Sequence, residues 1–174
     1  MVTVNDLSGA KPPKKFSFDH AFWSHDGFEI QPDGFAAPAP GSNYTDQTKV
    51  WNLLGSSVLD KAWTGLNNTI FAYGQTGAGK SYSIFGYPGN KGIIPLAAVK
   101  LFERINAETD PNVRYEVTVQ MVEIYMEKIQ DLLVPAAKRT VKDLPIKASP
   151  GGVYVQGAKK SPVASYDDIQ RVID

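Results

Sequence analysis

Eight residues carry a spacing with chemical meaning: Gly74-Gln75-Thr76-Gly77-Ala78-Gly79-Lys80-Ser81 fits the pattern G-x-x-x-x-G-K-[ST]. Glycines so placed let the backbone curl until successive N–H groups converge on phosphate oxygens, and a helix that follows adds its own unpaired N–H groups. Lys80 is expected to reach the β- and γ-phosphates, and Ser81 to offer its hydroxyl to Mg²⁺. By average residue usage the pattern arises by chance in about one chain per hundred of this length. A Gly-rich turn between strand and helix would explain the glycines but gives no reason for the adjacent Lys-Ser pair. Nucleotide binding is the reading these residues support. Cleaving the γ-phosphate requires further groups that position water and metal. No D-x-x-G follows the loop, no apolar run ending in Asp follows it as a second strand, and Ser56-Ser57 lack an adjacent Arg.

The loop needs a strand before it and a helix after it. Thr69-Ile70-Phe71-Ala72-Tyr73 is short, β-branched and aromatic, which predicts a buried strand, and Lys80 to Phe85 predicts a helix broken at Gly86-Tyr87-Pro88-Gly89. Upstream, Asp46 is placed to cap a helix whose Val50, Trp51, Leu54, Val58, Leu59 and Ala62 share one face, with Gly65 as its stop. Residues 27–43 concentrate Gly, Pro and small side chains and read as a long surface-loop insertion. Downstream, helical spacing resumes from Pro95 to Ile105, and residues 114–125 alternate as one long strand. A helical turn is expected around Lys128 to Leu133. Leu144–Ile146 and Val153–Gln156 read as a hairpin around Ser149-Pro150-Gly151-Gly152, and Ser165 with Asp168 as the cap of a last helix.

Composition bounds the rest. The chain has 174 residues, 43% hydrophobic and 21% charged, which suits one globular domain and argues against disorder. Eighteen cations balance eighteen anions, so a protein that coats nucleic acid is not expected. The charge is uneven: residues 138–160 hold Lys138, Arg139, Lys142, Lys147, Lys159 and Lys160 against Asp143 alone. That stretch is either a solvated loop or a contact surface for an acidic partner. With no cysteine there is no disulfide, thiolate metal site or cysteine nucleophile, and His20 and His25 match no zinc spacing. The N-terminus lacks an apolar signal core and no long apolar run occurs, so an intracellular, cytoplasmic chain without membrane contact is expected. Glu123 and Glu127 lie four apart across a strand end, which does not converge two carboxylates for acid–base work.

Longer strings now carry a resemblance. Phe16-Ser17-Phe18-Asp19-His20-Ala21-Phe22, then Tyr44, Gln47 and Val50, then IFAYGQTGAGKSYSIFG at 70–86, GIIP at 92–95, VEIYMEKIQDLL at 122–133 and GVYVQGAKKSPVASYDDIQRVI at 152–173 resemble the kinesin motor domain over nearly the whole chain. GKSYS and NKGIIP look most like the third class, the N-terminal-motor transporters. The resemblance implies an α/β fold with a P-loop NTPase-type sheet and flanking helices, ATP or ADP with Mg²⁺ as cofactor, and tubulin in the cytoplasmic microtubule cytoskeleton as partner, with dimerisation of the parent left open. Tyr82 falls where the family stacks a ring on adenine; an aromatic packed against its own fold explains it equally. The basic stretch at 138–160 falls on the family's microtubule face. The strand that carries the family's R-x-R-P motif and both switch motifs is not matched, so residues 1–174 are expected to be the P-loop half of a motor domain, incomplete at both ends and without ATPase activity alone. Residues 69–73 would then present unpaired backbone and an apolar face that the full domain covers. A non-motile nucleotide-binding protein and a nucleotide-independent tubulin-binding fragment are the alternatives.

Overall fold

The computed structural model describes residues 1–139 and 143–173. The chain divides into two compact units, Met1–Leu96 and Ala97–Asp174. Strands are Val2–Val4 (β1), Lys14–Phe16 (β2), Phe28–Ile30 (β3), Ala36–Pro38 (β4), Gly86–Tyr87 (β5), Asn90–Lys91 (β6), Val117–Val119 (β7), Val122–Tyr125 (β8), Lys128–Asp131 (β9), Ile146–Ser149 (β10), Gly152–Val155 (β11) and Ser161–Val163 (β12). Helices are Gln47–Val50 (α1), Ser56–Trp63 (α2), Lys80–Ile84 (α3), Ile93–Asn106 (α4) and Tyr166–Ile173 (α5). The strands form six two-stranded antiparallel ladders, and among the described residues no wider sheet is present. No helix is long and apolar enough to cross a membrane among the described residues.

In the first unit, Asp46 caps α1 as its sequence position requires, accepting the Lys49 N–H at 2.7 Å. The turn between α1 and α2, Trp51–Gly55, is π-helical. Trp51 is 5% exposed, and a Cβ on Gly55 would overlap its ring, so the small residue makes room for the large one. Helix α2 ends at Trp63, and the Gly65 N–H returns to Ala62 O at 2.9 Å. Residues 69–73 depart from the predicted buried strand. They make no ladder, and Phe71 and Tyr73 are 83% and 96% exposed. Strand propensity sets only a preference, and a strand exists when another chain segment accepts its hydrogen bonds. The unpaired backbone and exposed apolar face expected of this segment are what the structure has. Residues 27–43 differ from the expected surface loop: they hold the β3–β4 hairpin, with Phe28 opposite Pro38 and Ile30 opposite Ala36. Its anchor is Ala36, which is buried, and Phe28, whose ring centroid lies 5.0 Å from that of Tyr44.

The second unit is built around Ala98 and Phe102 of α4, Val163 of β12 and Ile169 of α5, with Val117, Val119 and Val172 packed against them. The single strand predicted over 114–125 breaks at Gln120-Met121. Its halves have different partners: β7 pairs with β12 and β8 with β9. The helical turn expected near Lys128 is instead strand β9, joined to β8 by Met126 and Glu127 at φ 48° and 64°. Those residue types give no hairpin signal, whereas the burial of Ile129 and Asp131 has the two-residue period of a strand. The last hairpin forms as β10–β11, slightly displaced from its predicted bounds. The Ser165 hydroxyl accepts the Asp168 N–H at 3.1 Å and the Asp168 carboxylate accepts the Ala164 N–H at 2.9 Å, closing the expected cap of α5.

Candidate functional site

The loop between residue 73 and α3 takes its shape from its glycines. Gly77 and Gly79 hold φ 81° and 84°, a region that Cβ-bearing residues avoid, and nothing lies within 4 Å of where a Cβ would stand. An open concave backbone results. The Ala78 N–H turns back to Gln75 O at 3.1 Å, and Gln75, Thr76 and Ala78 are exposed. Lys80, the first residue of α3, arches over the curve, its Nζ donating to Gly74 O at 2.8 Å and to Gln75 O at 2.7 Å. An ammonium is thereby fixed on the carbonyls at the loop's entry. Ser81 is exposed beside it on the first turn of the helix.

Tyr82 is half-buried and faces its own fold. Its phenol oxygen lies 3.4 Å from that of Tyr44, Gln47 Nε2 donates to its carbonyl at 2.6 Å, and its ring centroid is 5.7 Å from Tyr87 at a tilt of 36°. Burial, followed by the Tyr44 hydrogen bond, pushes the phenol well above the usual tyrosine value, so it stays neutral. Behind the loop an apolar groove of about 560 Å³ is lined by residues including Val50, Leu54, Val58, Ile70, Ile84 and Ile93. Among the described residues no three His, Cys, Asp or Glu side chains gather as a metal cluster. The Asp6-Leu7-Ser8-Gly9 stretch, which has D-x-x-G spacing ahead of the loop, is an exposed turn in which the Asp6 carboxylate accepts the Ser8 N–H at 3.1 Å.

Of the basic residues, Lys142 lies outside the described residues. Arg139 is tied down, its Nε donating to Val134 O at 2.8 Å and Nη1 to Gln130 Oε1 at 3.1 Å. Lys138, Lys147, Lys159 and Lys160 are exposed. The segments carrying them are pinned to β9 by two carboxylates. Asp131, 6% exposed, accepts the N–H groups of Lys159 at 2.6 Å and Leu133 at 2.8 Å, and Asp143 accepts the Ile129 N–H at 3.1 Å.

The kinesin motor domain family matches residues 2–174. This chain belongs to the kinesin motor domain family. It is 39% identical over 178 residues to the kinesin-like protein KIF28 of Rattus norvegicus, covering 99% of this chain and 17% of that protein. To KIF1A of the same organism it is 41% identical over 175 residues, covering 98% and 9%. Among solved structures, the KIF14[391-772] dimer in its two-heads-bound state, with AMP-PNP and in complex with a microtubule, matches at a TM-score of 0.80 and 34% identity, covering 98% of this chain and 44% of that one. This kinesin chain thus spans a small part of its curated relatives and under half of the solved motor chain. Its fold is the α/β fold of the kinesin motor domain. Sequence reading overlooked two side chains of this kinesin that hold the region after the loop, Tyr87 and Asn90. Tyr87 sits in the Gly86-Tyr87-Pro88-Gly89 stretch read as a helix break and Asn90 directly follows it, and only the Pro88-Gly89 turn dipeptide signalled the hairpin there.

Proposed function

We propose that this chain is the nucleotide-binding portion of a kinesin microtubule motor, taking ATP and ADP with Mg²⁺ on Gly74 to Ser81. The observation that carries the proposal is the open glycine loop with the Lys80 ammonium held across its carbonyls. A polyphosphate entering the curve meets backbone N–H groups from the loop and the first turn of α3, and Lys80 exchanges its two carbonyl acceptors for β- and γ-phosphate oxygens. The donor set fits an Mg²⁺ carried by the nucleotide, since such an ion keeps waters and phosphate oxygens and needs little more than the Ser81 hydroxyl from the chain. Bound Mg²⁺ neutralises phosphate charge. Tyr82 borders the base end, with one side engaged by Tyr87 and Tyr44. We assign binding and orientation to these residues, and no bond-breaking step.

The microtubule is the proposed partner, with Lys138, Lys147, Lys159 and Lys160 supplying charge for the acidic tubulin surface; Arg139, already bonded within its own unit, contributes to shape. KIF14 is seen on a microtubule with AMP-PNP, and with the match to the kinesin motor domain family this supports a motor acting on the microtubule cytoskeleton of the cytoplasm. Co-sedimentation of the full-length protein with microtubules, in AMP-PNP and in ADP, tests this reading together with phosphate release. Nucleotide-dependent pelleting and microtubule-stimulated release are expected. Pelleting that ignores nucleotide and collapses in high salt would leave only charge attraction.

A further inference from the structure

The Asn90 side chain is committed to the backbone of another hairpin. Its Nδ2 donates to Gly34 O at 2.8 Å and its Oδ1 accepts the Ala36 N–H at 2.9 Å, so one amide grips the turn and the return strand of β3–β4. The two turns touch backbone to backbone: a Cβ on Gly89 would stand 2.6 Å from the Gly34 carbonyl carbon and 2.8 Å from Asp33 O. Both glycines are left-handed, at φ 85° and 82°, which they alone adopt without strain. The other end of the β5–β6 hairpin is seated on α3. The Gly92 N–H donates to Phe85 O at 3.1 Å, and a Cβ on Gly92 would lie 2.6 Å from Ile84 O. From this hairpin rises Tyr87, 63% exposed, with its ring against Tyr82.

With two residues in each strand, β5–β6 is too short to hold its own shape, since even longer isolated hairpins are marginal in water. Its conformation depends on what it is fastened to. We propose that Asn90 is a positioning residue for the base end of the nucleotide site: by clasping the β3–β4 hairpin to β5–β6 it holds Tyr87 beside Tyr82, and the two rings together form the surface on which the purine rests. The inference rests on the nucleotide reading above and adds Tyr87 as a contact residue. Released from the clasp, Tyr87 samples many orientations and the base must order it on binding, which lowers affinity without touching the phosphate loop. A clasp that only stabilised the fold would weaken base and phosphate recognition alike.

The experiment titrates Mg-ADP and Mg-pyrophosphate into the full-length protein and its Asn90→Ala, Asn90→Asp and Tyr87→Ala variants. Pyrophosphate reports the loop alone. Asn90→Ala and Tyr87→Ala are expected to weaken ADP about tenfold, the scale of losing a pair of ordinary hydrogen bonds or one ring contact, while pyrophosphate stays within about twofold. Asn90→Asp keeps the acceptor for Ala36 and loses the donor to Gly34, so it falls between wild type and alanine. Equal loss of both ligands in Asn90→Ala overturns the proposal, as does unchanged ADP affinity in either alanine variant. If Asn90→Ala does not fold, the ADP-to-pyrophosphate ratio in Tyr87→Ala and Asn90→Asp decides in the same way. Wild-type protein that binds neither ligand overturns the nucleotide reading itself, before any variant is made.

Discussion

Replacing Asp131 by alanine removes the carboxylate that fastens two segments of the second unit to the end of β9. Asp131 is 6% exposed and accepts two backbone N–H groups, from Lys159 at 2.6 Å and Leu133 at 2.8 Å. Hydrogen bonds to a charged acceptor contribute about 1.5–3 kcal/mol each, so the pair sets a ceiling of about 3–6 kcal/mol. Lys159 is exposed and its N–H regains water once the carboxylate is gone, which brings the expected loss to about 2–4 kcal/mol. Asp131→Asn keeps the shape and one acceptor but turns an amide NH₂ toward the other donor, so it should lose about half as much. Asp143→Ala is the internal comparison: an exposed carboxylate with one bond, to the Ile129 N–H at 3.1 Å, should cost about 1 kcal/mol or less. Urea unfolding of the four proteins gives the midpoints and slopes. Unchanged slopes with midpoints in the order wild type, Asp143→Ala, Asp131→Asn, Asp131→Ala are expected. If Asp131→Ala loses no more than Asp143→Ala, burial and bond count do not set the value of this carboxylate, and the reasoning fails.

Acid should loosen the start of α5. The Asp168 carboxyl is held below its ordinary value of 3.8, first by the Ala164 N–H and then by the Ser165 hydroxyl. A depressed carboxyl adds stability that is complete above its unfolded value and lost as pH falls through the folded one, so the protection of amides 165–169 against exchange, relative to their intrinsic rates at each pH, should fall below about pH 4; an equal loss of protection in Asp168→Asn would refute this. The exposed Ile70, Phe71 and Tyr73 on unpaired backbone make the 174-residue chain, prepared alone, prone to self-association. Light scattering should show its mass rising with concentration, and a monodisperse monomer across that range would show that the segment is covered.

The shape of the loop at Gly74 to Ser81 was legible because its determinants are local: glycines and a lysine specify curvature and charge within eight residues. Asp46 and Ser165 were legible for the same reason, since a cap reads its own neighbours. What escaped depends on partners far along the chain. Nothing in Thr69 to Tyr73 says whether a second strand will lie beside it. The break at Gln120-Met121 exists because β7 and β8 choose different partners, and its one trace in the sequence is a slip of the alternation where Met121 and Val122 are both apolar. The Met126-Glu127 turn uses residues with no preference for positive φ, so a run with Ile129, Leu132 and Leu133 looked helical. Proline and glycine in 27–43 concealed a hairpin whose purpose is visible only through Asn90, more than fifty residues later. Arg139 shows the limit of counting charges, because its guanidinium is occupied by Val134 and Gln130.

Calorimetric titration of Mg-ADP and of AMP into the full-length protein and its Lys80→Ala variant decides whether Gly74 to Ser81 binds nucleotide through its phosphates. In the structure Lys80 already holds two carbonyls, so its exchange onto phosphate yields a net gain of about 2 kcal/mol, or roughly thirtyfold in affinity, rather than the sum of every new contact. ADP should bind far more tightly than AMP, and Lys80→Ala should weaken ADP by about that factor while leaving AMP unchanged. Equal affinities for ADP and AMP in the wild-type protein, or an Lys80→Ala variant that binds ADP as well as wild type does, would contradict the account.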